Sequence, residues 1–186
     1  MMFAGYHRIF WGLLIATFNI KFGMVKIFPA FVGFMVIYSG INLLYEEAQS
    51  MEFKEAKIWA LITIIASIGG TIMDFIGHDN LYWSLSFSIW TGIYFVIELL
   101  MVFKLLEASI MYLDSKNYLD TAKEYGEIQR NFTVLYIINL VLIHISTIYN
   151  IKLLGGISAF IAFGLRIYLI FIINNLKKLF VPILED

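Results

Sequence analysis

Cysteine is absent from the 186-residue chain. Its absence excludes disulfides, thiolate zinc sites, iron–sulfur clusters, cysteine nucleophiles and prenyl or palmitoyl anchors together, and leaves the chain indifferent to redox compartment. Charge is also scarce: 15% of residues are Asp, Glu, Lys or Arg, against about 25% in ordinary globular chains. The formal net charge is -1 and there is no Lys/Arg-rich run to meet a phosphate backbone, so no nucleic-acid partner is expected. The histidines, His7, His78 and His144, are far apart and lack the paired i, i+4 spacing of helical zinc sites, so no metal site is expected. A phosphate-binding glycine loop, a serine nucleophile elbow and a dinucleotide glycine pattern are missing too. No cofactor is expected, and no motif supports an enzyme.

What fills the chain is apolar. The hydrophobic share is 61%, gathered into long runs with the charges clustered between them. That pattern belongs to a polytopic membrane protein. The expectation is an all-α transmembrane helical bundle in a lipid bilayer, a single domain over 1–186. Six candidate spans lie at about 3–20, 27–45, 58–76, 83–103, 132–149 and 153–173. Each has the length to cross a hydrocarbon layer of about 30 Å at about 1.5 Å per residue. Arg8 sits inside the first apolar run, which therefore reads as an uncleaved anchor. Pro29 stands in the first turn of the second span, where a missing N–H does least harm. The charged stretch 46–57 suits a short interfacial helix with a solvated face. The polar segment 104–131 reads as the fourth span continuing past the membrane, then a cytoplasmic amphipathic helix capped by Asp114 or Ser115.

Six spans place both termini on one side. That side holds Arg8, Lys54, Lys57, Lys104, Lys116, Lys123, Arg130, Lys177 and Lys178, whereas the other holds Lys21, Lys26 and Lys152. Positive charge concentrates on the cytoplasmic side of short loops, so both termini are expected in the cytoplasm. The remaining cation, Arg166, lies near the middle of the sixth span.

A charged side chain at mid-membrane is costly unless it faces a bundle interior and finds a partner there. Gly155, Ala159, Ala162 and Arg166 fall at i, i+4, i+7 and i+11, so a small-residue stripe suited to close helix packing leads to the arginine. On the fourth span Ser84, Ser88, Thr91 and Glu98 share a stripe with Phe95, and on the third Thr63, Ser67, Gly70 and Asp74 do likewise. Counted from the outer ends of their spans, Glu98 and Arg166 both lie about 20 to 22 Å deep. A carboxylate and a guanidinium at one depth can satisfy each other, so Glu98 and Arg166 are expected to pair, as a clip fixing helix register or as part of a solute or proton site. Asp74 and His144 lie in the outer third and are candidates for a second polar cluster beside His78 and Asp79. His144 taken alone reads as a hydrogen-bonded core histidine.

An internal echo links the first and third hairpins. Ala30-Phe31-Val32-Gly33-Phe34 resembles Ala159-Phe160-Ile161-Ala162-Phe163. A duplicated hairpin would produce it, and the Phe- and Ile-rich composition suffices to produce it as well.

The run 18–44, FNIKFGMVKIFPAFVGFMVIYSGINLL, followed by Phe53-Lys54-Glu55-Ala56-Lys57, resembles a group of small uncharacterised integral membrane proteins of low-GC Gram-positive bacteria. The shared pattern is a short loop, a proline opening the second span, and glycines seven apart, here Gly33 and Gly40. The resemblance implies the six-span fold and no particular activity. In size and span count the chain is also similar to the substrate-binding components of energy-coupling-factor vitamin importers, an analogy of fold alone.

Two functions follow as expectations. One is a small-solute binding or transport component, with Glu98 and Arg166 in the bundle and Asp74 with His144 toward the outer entrance; it requires a water-accessible cavity touching at least two of these residues. The other is an accessory or regulatory subunit that docks a membrane or cytoplasmic protein through the 104–130 segment.

Overall fold

The computed structural model describes the backbone of residues 1–18, 21–22, 25–26, 29–76 and 81–180, and the side chains outside 19–28, 74–88 and 181–186. Six helices follow one another: α1 (Met2–Thr17), α2 (Ala30–Ala48), α3 (Met51–Ile76), α4 (Leu81–Ser115), α5 (Leu119–Ile148) and α6 (Lys152–Leu179). Between α1 and α2 stands a small antiparallel hairpin, β1 (Lys21–Phe22) with β2 (Val25–Lys26), pairing Lys21 with Lys26 and Phe22 with Val25. The sequence reading expects only a short connection there. Apart from that hairpin the described residues form an all-α bundle.

Three of the turns are made tight by one residue in the left-handed region: Gln49 (φ 49°), Asn117 (φ 64°) and Asn150 (φ 52°). Asparagine tolerates this conformation better than most residues. Turns this short force neighbouring helices antiparallel, and each helix packs on the next in sequence. The circuit closes where α6 packs against α1, so the six helices form a ring around a shared interior.

Two sequence expectations change here. The stretch 46–57 is not a separate interfacial helix: α2 runs to Ala48 and α3 begins at Met51. Its charges lie on the ends of two long helices, where Lys57 donates to the Asn42 carboxamide and Lys104 of α4 reaches Glu55 at 2.9 Å and Glu107 at 2.8 Å. The segment 104–131 is divided in the same way. Its first part continues the fourth span as expected, α4 ending at Ser115, but the amphipathic helix that follows is not separate: it opens α5, continuous to Ile148. Neither Asp114 nor Ser115 caps α5; the N-cap residue is Tyr118, with no side-chain cap bond.

Among the described residues four segments are long and apolar enough to cross a membrane: Met51–Met73, Ile89–Ser115, Leu119–Ile148 and Lys152–Leu179. Their outward faces carry bare hydrocarbon, with Ile65, Ile93, Ile138, Leu153, Phe160 and Phe171 all exposed, as lipid-facing surfaces require. At 16 residues α1 is shorter, about 24 Å, and α2 places Glu46 and Glu47 in its last turn.

Buried side chains fill the interior between the first turns of α1 and the level of Glu98. Tyr6 and Ile9 of α1, Leu44 of α2, Met101, Leu105 and Leu106 of α4, and Ile173 and Leu176 of α6 are all buried there. Tyr6 crosses the ring to donate to Ser109 Oγ at 2.8 Å, and Ser109 donates in turn to the Leu105 carbonyl at 2.7 Å. The Tyr6 ring also stacks on Phe180 at 5.6 Å, so α1, α4 and the end of α6 are fixed together. Arg8 is exposed midway along α1 and donates to Ser39 Oγ of α2 at 2.6 Å.

The seam between α1 and α2 is glycine against glycine. A Cβ built on Gly12 would stand 2.7 Å from the Gly33 carbonyl oxygen, and one on Gly33 would stand 2.6 Å from that of Gly12. Gly5 and Gly40 meet similarly one heptad on, a Cβ on Gly40 falling 2.7 Å from the Gly5 carbonyl oxygen. No side chain fits between these backbones, and that closeness is what small-residue helix packing supplies.

Candidate functional site

Arg166 and Glu98 meet across the ring. Arg166 Nη2 lies 2.8 Å from Glu98 Oε2, and Glu98 is 6% exposed. The guanidinium has a second partner that sequence spacing does not reveal: Nη1 donates to the Ala16 carbonyl at 3.3 Å. Ala16 lies in the last turn of α1, where helix carbonyls lack partners within the helix and the negative end of the dipole gathers. Arg166 therefore neutralises Glu98 of α4 and closes the C-terminal end of α1, binding three helices at one point.

The geometry also corrects the reading of the stripe that precedes it. Gly155 does pack closely on α5, where a Cβ built on it would stand 2.7 Å from Ser146 Oγ, but the stripe beyond it opens: with Thr17, Phe95, Ser146, Thr147 and Arg166, these small residues line a cavity of about 470 Å³. The reason is the length of α1. It stops at Thr17, one residue beyond the carbonyl that holds Arg166, so the part of α6 that precedes Arg166 runs on past the end of α1. Small side chains there leave space that nothing among the described helices fills. Ser146 at the far end donates to the Ile151 carbonyl at 3.1 Å and closes the α5–α6 turn.

A second, enclosed recess of about 10 Å³ adjoins this cavity and shares Phe95, Ile143, Ala162 and Arg166 as walls. Its other walls are Tyr136, Asn139 and Leu140. Asn139 Oδ1 is buried, with Asn139 5% exposed, and has no hydrogen-bond partner among the described residues; the Tyr136 hydroxyl, also buried, makes no close hydrogen bond there and lies beside the Glu98 carboxylate. An unpaired buried polar atom costs about 1 to 3 kcal/mol, so a natural chain keeps one for a reason. Sequence reasoning overlooked both residues. The signal is present all the same: Phe132, Tyr136, Asn139 and Ser146 recur on one buried face of α5.

His144 is partly buried, its Nδ1 lies 2.8 Å from the Leu140 carbonyl, and its ring rests so closely on Gly92 of α4 that no side chain would fit between them. It lines a different, largely apolar cavity of about 470 Å³ between α4 and α5, with Ile93, Val96 and Leu140. The Asp74 side chain, with His78 and Asp79, lies outside the described residues, as do the side chains of Ser84 and Ser88. Thr63 and Ser67 of the α3 stripe are buried, and Thr63 Oγ1 donates to the Trp59 carbonyl at 2.8 Å. Arg166 thus lines one cavity and His144 another.

Chemically, the Arg166 site offers spare guanidinium N–H groups, a carboxamide, a phenol, and aliphatic and aromatic walls. Its cation is already balanced by Glu98. Comparison of the chain with protein-family profiles, with curated proteins and with solved structures returned no match.

Proposed function

We propose that this chain is a small-solute binding or transport component of a bacterial inner membrane, a six-span bundle with α1 and α2 as its first two spans and both termini cytoplasmic. The observation that carries the reading is the cavity of about 470 Å³ ending on Arg166, within the range of about 300 to 1,000 Å³ that small ligands occupy. The cation distribution supports the orientation, which puts the mouth of the cavity, near Ser146 and Thr147, toward the outer face. The residue pattern over 18–57 supports kinship with small membrane proteins of low-GC Gram-positive bacteria.

The absence of native cysteine makes the test direct. Ala162→Cys, a single thiol beside Arg166, is exposed in sealed cells to a membrane-impermeant maleimide. The proposal expects labelling from the outer side. A thiol that stays unlabelled there, but reacts once the protein is unfolded, would remove the solute cavity and the reading with it.

A second reading, an accessory subunit docking a protein through the 104–130 segment, draws on Met111, Tyr118 and Leu119, exposed around the α4–α5 turn. It expects a partner that co-purifies with the chain and is lost in a Met111→Glu, Leu119→Glu variant.

A further inference from the structure

Resting on the solute-site reading, we infer that the ligand is a small uncharged molecule presenting an amide-type group, a carbonyl with an adjacent N–H. Three observations converge on that class. First, Arg166 is charge-neutral with Glu98 at 2.8 Å, so the site carries no net charge to attract a carboxylate or an ammonium ion, and burying an unpaired ion beside it is costly. Second, the guanidinium lines the junction of cavity and recess and has N–H groups beyond the two given to Glu98 and Ala16, which suit a carbonyl oxygen. Third, Asn139 Oδ1, buried and unpartnered in the wall of that recess, is an acceptor that asks for a donor.

Size fixes the orientation. The recess, at about 10 Å³, admits roughly one water-sized group. The N–H end of the amide enters it and donates to Asn139, the carbonyl stays on Arg166, and the apolar body of the solute lies in the larger cavity against Phe95. Asn139 Oδ1, left without a donor in the free protein, then gains one on binding. An ester or a hydrocarbon of the same shape leaves Asn139 unpaired and is rejected.

The test uses three probes of matched size, benzamide, benzoate and benzylammonium, with the full-length purified protein. Each is measured by thermal stabilisation and by protection of Ala162→Cys from maleimide. The inference expects benzamide to protect at a concentration at least about tenfold lower than either ion, the span of about one hydrogen bond to a buried group. Asn139→Asp is expected to reverse the order in favour of benzylammonium, because it adds an anion to a neutral site. Asn139→Leu is expected to abolish benzamide protection while the thiol remains reactive. Should Asn139→Leu fail to fold, the wild-type ranking and Asn139→Asp decide the matter without it. Benzoate ahead of benzamide, or no protection by any probe at a thiol that labels freely, overturns the amide class while the water-accessible cavity stands. An unlabelled thiol overturns the cavity itself.

Discussion

Two stripes of small residues occur in this chain, and the fold uses them in opposite ways. On the α1–α2 seam, Gly5 and Gly12 face Gly40 and Gly33 so closely that a single Cβ would fall within 3.0 Å of the opposite backbone. On α6, Gly155, Ala159 and Ala162 face a cavity of about 470 Å³. The contrast is sharpest within the echoed pentapeptides, where Gly33 sits against the α1 backbone and Ala162, in the corresponding position, looks into open space. Small residues at helical spacing say that a face is thin; the length of the neighbouring helix decides what fills the gap. Beside α2, α1 runs the whole way, whereas beside α6 it ends at the level of Arg166.

The pair at that boundary should give the largest effect. Glu98→Leu leaves a guanidinium buried without its counter-charge, and Arg166→Leu leaves both the carboxylate and the end of α1 unsatisfied. Each single change is expected to cost about 3 to 5 kcal/mol, read as a drop in thermal midpoint in detergent. The double Leu variant should recover most of that loss. Single changes that leave the midpoint where it was would show that the boundary does not hold the two regions together.

The comparison between the stripes is then tested by one substitution in each. Gly33→Leu drives a side chain into the α1 backbone and should cost about 1 to 3 kcal/mol or more. On the packed side, Tyr6→Phe removes only the hydroxyl bonded to Ser109 and should cost about 1 kcal/mol. Ala159→Leu, on an exposed wall of the cavity, should change stability by less than about 0.5 kcal/mol. Equal losses for Gly33→Leu and Ala159→Leu would erase the distinction.

How far this was legible in the sequence depends on which link is asked for. The long helices follow from uninterrupted apolar runs, and the Glu98–Arg166 contact from equal depth on two interior faces, because a mid-membrane ion tolerates few alternatives. Helix ends were harder to read. The charges at 46–57 suggested a separate surface helix, and those after Ser115 a second one, but the long helices run through both stretches and the turns shrink to 49–50 and 116–118. The second partner of Arg166 is a main-chain carbonyl, which no side-chain pattern announces. Asn139 and Tyr136 went unread because α5 is polar at its start and weakly patterned, so its buried face is set by where α4 and α6 lie. The opening of the α6 stripe was hidden for a related reason: it is a property of the end of α1, more than a hundred residues away in the chain.

The most direct measurement compares two single thiols in the otherwise cysteine-free protein, Ala159→Cys in the cavity wall and Ala108→Cys in the packed half, where Ala108 is 1% exposed. Their rates with a membrane-impermeant maleimide, applied to both faces of the folded protein, should differ by at least about a hundredfold, since the buried thiol reacts only when about 3 kcal/mol of local structure opens. Fast reaction at 159 with protection at 108 is the outcome the two-stripe account requires. Equal protection of both thiols would mean that the α6 stripe is packed as tightly as the α1–α2 seam, and would contradict it.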